Sequence, residues 1–154
     1  SSDTKQRRTL VAYDKDNIFA KILRDEIPAV KVYEDKQTLA FMDVMPQSPG
    51  HTLVIPKCEA ENLFDLEISA GTAVLATAQK IARAVKDAMH ADGIMLNQFN
   101  GPAAGQTVFH FHLHIVPRFD GVPLRKHSGE MEDITVLEEQ AEKIRAVLDN
   151  LKAN

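Results

Sequence analysis

Residues 107–119 read TVFHFHLHIVPRF, a run in which His110, His112 and His114 alternate with Phe, Leu and Ile. Alternation among β-branched and aromatic residues predicts a strand, whose side chains point by turns to its two faces. Phe109, Phe111, Leu113 and Ile115 would share a core face, and the three imidazoles the other, flanked by Val108 and Val116. Imidazoles on a strand that could be wholly apolar destabilise it unless each is hydrogen-bonded or used. Three readings compete. Neutral imidazole is a common zinc ligand, but the backbones of His110 and His114 lie roughly 13 Å apart, four strand rises, which strains convergence on one ion. The chain also has no CxxC and no HExxH to complete a metal shell. A purely structural set of satisfied histidines is the second reading. The third is imidazole chemistry, with the central histidine as nucleophile or base and its neighbours fixing its tautomer or supplying a proton.

The segment leading into the histidines, Asn100-Gly101-Pro102-Ala103-Ala104-Gly105-Gln106-Thr107, is built of small residues that allow close approach. Its main-chain N–H groups and Thr hydroxyl can meet an oxyanion. A hairpin connection needing glycine would have the same composition, and the GK[ST] ending of a P-loop is missing. Its junction with three histidines is what points to a phosphorylated substrate.

Composition narrows the field. A chain of 154 residues suits one domain with its own core, and 22 acidic against 18 basic residues disfavour a general nucleic-acid binder. Cys58 is the sole cysteine, so no intrachain disulfide forms, which suits a reducing, cytoplasmic setting. No histidine lies near it in IPKCEAEN, which weakens the case for a cysteine nucleophile. The opening SSDTKQRRTLVAYDKDN has no apolar stretch resembling a signal peptide or membrane span, and residues 1–12 are expected to be a loose arm.

The positioning elements follow from periodicity and breakers. Asn17 is placed to cap a short helix through IFAKILRDE, ended by Ile27-Pro28. Strands are predicted over Val30–Glu34, Leu39–Val44, 51–56 and 94–99, with EDKQT as a hairpin loop between the first two and MPQSPG as a break. Ser69 opens a helix whose Val74, Ala78, Ile81, Val85 and Ala88 or Met89 make one buried stripe, ending at Gly93. A capping box of Thr135 and Glu138 starts a last helix, with Leu137, Ala141, Ile144, Leu148 and Leu151 on one side. That stripe docks on this domain or across a dimer. Strands with few alternating helices give an α+β fold around an antiparallel sheet of about five strands.

HFHLHIV at 110–116 has the His-x-His-x-His-x-x form, and with IFAKILRDEIPAVKVYED, AFMDVMPQSPGHTLVIPK and AGQTVFHFHLHIVPR it resembles the Hint branch of the histidine triad (HIT) family, nucleotide hydrolases and transferases. The resemblance spans about residues 16–119. It divides the chain into the arm at 1–12, a HIT domain at 13–119 and a C-terminal extension at 120–154.

The resemblance implies a hydrolase of purine nucleoside 5′-phosphoramidates, acting on AMP or GMP derivatives without metal or other cofactor. A dinucleoside polyphosphate hydrolase or nucleotidyl transferase, or a nucleotide-binding scaffold with incidental hydrolysis, is the alternative. It implies His112 as the nucleophile on the α-phosphorus, His114 near the phosphate or leaving group, His110 holding the imidazole set, and His51 as a fourth site histidine. Asn100, Gly105, Gln106 and Thr107 fall on the phosphate side by the same carry-over. Asp43 resembles the acid that takes the ribose hydroxyls, and Ile18, Phe19, Ile22, Phe41 and Leu53 the base pocket. A homodimer with sheets joined across the interface is implied too, with no nucleic-acid or membrane partner. Two departures stand out: Phe99 occupies a position where many relatives carry Asn, between Asn97 and Asn100, and the tail beyond 119 is longer than in short Hint proteins and lacks Trp.

Overall fold

The computed structural model describes residues 12–126 and 129–153; all of the expected arm but Ala12 lies outside them. The elements run α1 Ile18–Leu23, β1 Lys31–Glu34, β2 Thr38–Met42, β3 Thr52–Pro56, α2 Ile68–Met89, β4 Gly93–Asn97, a single 3₁₀ turn at Pro102–Ala104, β5 Leu113–Arg118 and α3 Ile134–Ala153. Every neighbouring pair in the five-stranded sheet is antiparallel, in the order β1-β2-β3-β5-β4. The α+β expectation therefore holds. Among the described residues no helix is long and apolar enough to cross a membrane.

Side-chain alternation divides the sheet's work. Ala40, Met42, Val54 and Ile115 face a core completed by Val74, Ala78, Ile81 and Val85 of α2 and by Leu137, Ala141, Ile144 and Leu148 of α3. Leu39, Phe41, Leu53 and Ile55 point the other way, into a smaller cluster with Phe19 and Ile22 of α1. Strands β2 and β3 are thus buried on both faces, which explains their nearly unbroken apolar runs. The C-terminal stripe docks on its own domain.

Several boundaries depart from the sequence reading. The strand predicted from residue 107 begins only at Leu113, because β3 pairs with β5 over just Thr52–Val54 and residues 113–115. Before that the Phe111 amide donates to the Ala60 carbonyl, off the sheet ladder. His110 and His112 therefore precede the strand; Phe111, Leu113 and Ile115 still face the main core, whereas Phe109 is only half-buried and outside it. Helix α2 starts at Ile68 and ends at Met89, capped by His90 in the left-handed conformation at φ 55°, so Gly93 opens β4 instead of ending the helix. Thr135 is not the cap of α3: the Asp133 carboxylate accepts from the Thr135 amide at 2.8 Å, the bond an N-cap residue makes. Asn17 does cap α1, accepting from the Ala20 amide at 2.9 Å.

The α3 stripe yields a stability test. Ile144→Ala, at a fully buried position, should destabilise by about 2–5 kcal/mol. Leu151→Ala, at a position 54% exposed, should stay within about 0.5 kcal/mol of the parent. Equal urea midpoints for the two variants would contradict the docking of α3.

Candidate active site

On the α1 side of the sheet a cavity of about 420 Å³ is walled by Ile18, Phe19 and Ile22 from α1, Phe41 from β2 and Leu53 from β3. Asp43, Thr107, His112 and His114 supply its polar points. An apolar enclosure with a few convergent polar groups is the usual form of a small-molecule site. Nine of the residues singled out in the sequence meet there. His51, His110, Asn100, Gly105 and Gln106 do not line it.

The hydrogen bonds assign the ring protons. His112 Nδ1 lies 2.7 Å from the His110 carbonyl, which can only accept, so the proton sits on Nδ1 and the ring's lone pair on Nε2. Phe19 meets the His112 ring edge-on, with centroids 4.9 Å apart. His110 is held at both nitrogens. Its Nε2 donates to the Pro56 carbonyl at 2.8 Å, and its Nδ1 accepts from the Tyr13 hydroxyl, which in turn accepts from the Asn17 side-chain amide. Asn17 therefore caps α1 with its oxygen and steadies Tyr13 with its nitrogen. Sequence reasoning gave Asn17 only the cap and passed over Tyr13, whose partner His110 lies far along the chain.

His51 sits immediately before β3 and is fully buried. Gly50, at φ +90°, makes the approach possible: a Cβ there would lie 2.6 Å from Met89 Cγ and 3.3 Å from Pro117 Cγ. The Gln47 amide donates to His51 Nδ1 at 3.0 Å, so the His51 ring carries its proton on Nε2. That atom lies 2.9 Å from His114 Nδ1 and 3.4 Å from Asp43 Oδ2. Donation to the nearer acceptor places the proton of a neutral His114 on Nε2. Thus one main-chain amide sets two tautomers in series.

Asp43, His51 and His114 bring three donor atoms within 4.8 Å of one another, a spacing that a metal ion could in principle use. The proton pattern does not fit one. A ligating histidine donates from its second ring nitrogen, whereas the second nitrogen of His51 accepts a main-chain N–H and its proton faces the cluster. The trio is a hydrogen-bond relay.

The loop at 100–107 is organised mainly by itself. The Gln106 side chain is buried, donating to the Glu61 and Val108 carbonyls and accepting from the Gly101 amide at 2.8 Å. Asn100 accepts from the Leu63 amide and exchanges bonds with Gln98. Gly101 and Gly105 take positive φ on either side of the 3₁₀ turn. Only Thr107 of this loop reaches the cavity. Phe99 lies tilted against His114, centroids 5.5 Å apart. Cys58 is exposed, and desolvation pushes its thiol up, away from the reactive thiolate. Sequence reasoning missed Val44, Met45, Val108, Met131 and Ile134 as cavity residues; the last two belong to the stretch beyond residue 119.

The HIT domain family model matches residues 24–121, and the chain belongs to that family. The crystal structure of a Hit-like protein involved in cell-cycle regulation from Bartonella henselae, with unknown ligand, is 53% identical and superposes with a TM-score of 0.83 over 88% of this chain and 99% of that one. A Zn-bound histidine triad family protein from Mycobacterium smegmatis is 38% identical, with a TM-score of 0.80 over 90% and 96% of the two chains. Adenylylsulfatase HINT3 of Arabidopsis thaliana is 37% identical over 123 residues, 76% of this chain and 62% of HINT3.

Burial holds the pKa of His110 below its ordinary 6.5. The unfolded chain protonates this histidine near 6.5 while the folded one resists, so its contribution to stability is full above about pH 6.5 and is lost as pH falls below it. Thermal unfolding at pH 7.5 and pH 5.5 should show a smaller acid-induced drop in Tm for His110→Gln than for the parent. An identical drop would place the acid sensitivity elsewhere.

Proposed function

We propose that the protein is a nucleotide-binding hydrolase that cleaves purine nucleoside 5′-phosphoramidates through a covalent nucleotidyl group on His112. The observation that carries this reading is the His112 Nδ1 bond to the His110 carbonyl, which puts a nucleophilic lone pair on Nε2 of a ring lining the cavity. Nε2 attacks the α-phosphorus and the phosphorus–nitrogen bond breaks. The departing amine takes the proton of His114 Nε2. Water then attacks the phosphorus of the nucleotidyl-histidine, giving a proton back to His114 Nε2, releasing the monophosphate and returning the electron pair to His112 Nε2. The base lies among Ile18, Phe19, Ile22, Phe41 and Leu53, with Asp43 toward the ribose hydroxyls. Gln106 and Asn100 support the phosphate side by shaping the loop that presents Thr107. No step draws on a bound metal.

The activity of HINT3 favours a second leaving group, the sulfate of an adenylylsulfate, on the same nucleotidyl-histidine route. Adenosine phosphoramidate, AMP-lysine, adenylylsulfate and diadenosine polyphosphates assayed side by side would rank them. His112→Ala should lower kcat by roughly 10³-fold or more and abolish base-stable, acid-labile labelling from α-phosphorus-labelled substrate, with AMP binding largely kept. EDTA should leave parent activity unchanged. Inversion at phosphorus, or near-normal turnover by His112→Ala, would sink the covalent route.

The same reading includes a cytoplasmic homodimer. Leu63, Phe64, Ile68 and Leu75, at and just before the start of α2, are 53–84% exposed, and β4 is an uncovered sheet edge carrying exposed Leu96. Solvent-facing apolar side chains and an open sheet edge are both suited to pairing with a second copy. Sedimentation at micromolar concentration should give a dimer that Phe64→Glu with Ile68→Glu converts to monomer; a monomeric parent would refute it.

A further inference from the structure

We propose that residues 129–134, ahead of and opening α3, form a specificity wall of the nucleotide pocket, with Met131 and Ile134 closing over the exposed face of the purine base. This rests on the nucleotide reading above and adds residues that lie beyond the 24–121 match to the family. Met131 and Ile134 line the same cavity as His112 and Asp43, yet they are 72% and 64% exposed. Ile18 and Val44, also lining it, are 53% and 42% exposed. Four large apolar side chains left in water around one opening mark a surface completed by a ligand. Phe41 and Leu53 line the same cavity from the sheet and are already packed against α1. What fits between two apolar faces, beside one carboxylate and two imidazoles, is a flat heteroaromatic ring attached to a polar, phosphate-bearing group.

The wall is fastened in place. The Glu132 amide donates to the Val44 carbonyl at 2.9 Å, and the Arg125 amide to the Gln47 carbonyl at 2.8 Å. Arg125 Nη1 and Glu132 Oε2, 2.9 Å apart, tie the stretch to the chain that precedes it. The segment is therefore anchored to the same 43–51 connection that carries Asp43 and His51, and its apolar side chains hold a fixed position relative to both. A thioether packs favourably against an aromatic ring, and a purine offers it more surface than a pyrimidine does.

The test is a double variant, Met131→Ala with Ile134→Ala, which leaves the main core intact because both side chains are mostly exposed. AMP and CMP affinities are measured by calorimetry, and kcat and KM on adenosine and cytidine phosphoramidates. The variant should bind AMP about tenfold more weakly, the effect of losing about 1.4 kcal/mol of apolar contact, with KM raised, kcat unchanged and the AMP-to-CMP preference reduced. AMP affinity and base preference within twofold of the parent would overturn the wall while leaving the hydrolase reading intact. A fall in kcat at saturating substrate would overturn it as well, because it would place the segment in the chemistry. A parent protein that binds no nucleoside monophosphate would overturn the underlying functional reading and the wall with it.

Discussion

The short hydrogen bond from His112 Nδ1 to the carbonyl of His110 is the constraint around which the site is arranged. In a regular strand that carbonyl would point sideways into the ladder while the imidazole stood perpendicular to the sheet. The two meet because residues 107–112 leave strand geometry before β5 begins. The acceptor is itself immobilised: the His110 ring is fixed to the end of β3 through Pro56 and to the cap of α1 through Tyr13 and Asn17. The end of one strand and the cap of one helix thus fix the group that sets the proton position of one ring.

A second constraint acts on His114 through His51. The turn after β2 turns back at Gly50, where no other residue has room, and directs the Gln47 amide at His51. An amide cannot reverse its role as donor, so the direction of the His51–His114 bond follows from backbone geometry and not from the surrounding solution. The site accordingly presents one ring with a lone pair on Nε2 and another with a proton there, side by side with centroids 5.0 Å apart. That pairing of opposite proton states on neighbouring imidazoles is what nucleophilic displacement with a protonated leaving group requires.

The sheet makes this possible by being covered unequally. Helices α2 and α3 pack against one face, while α1, only six residues long, packs against the other. The cavity lies beside α1 on that second face, floored by Phe41 and Leu53 of the sheet. The stretch between β5 and α3 then narrows it, and α3 can hold that stretch because its own stripe is locked into the main core.

Residue types and the faces they occupy were legible in the chain. Period-two alternation placed Phe111, Leu113 and Ile115 toward the core and the histidines away from it, and period-3.6 stripes chose the buried sides of α2 and α3. The motif blocks carried the family, the α+β class and nine of the cavity residues. Tertiary structure alone decided where regular strand stops, because hydrogen-bond partners such as Ala60 and Pro56 lie about fifty residues away and leave no mark on local periodicity. It also decided proton positions, since a histidine's tautomer depends on which remote group faces each ring nitrogen. The same reason hid Tyr13 in a polar opening segment and Met131 and Ile134 in a polar tail: each matters through a contact across the fold, with His110 or with the cavity, that no local pattern encodes.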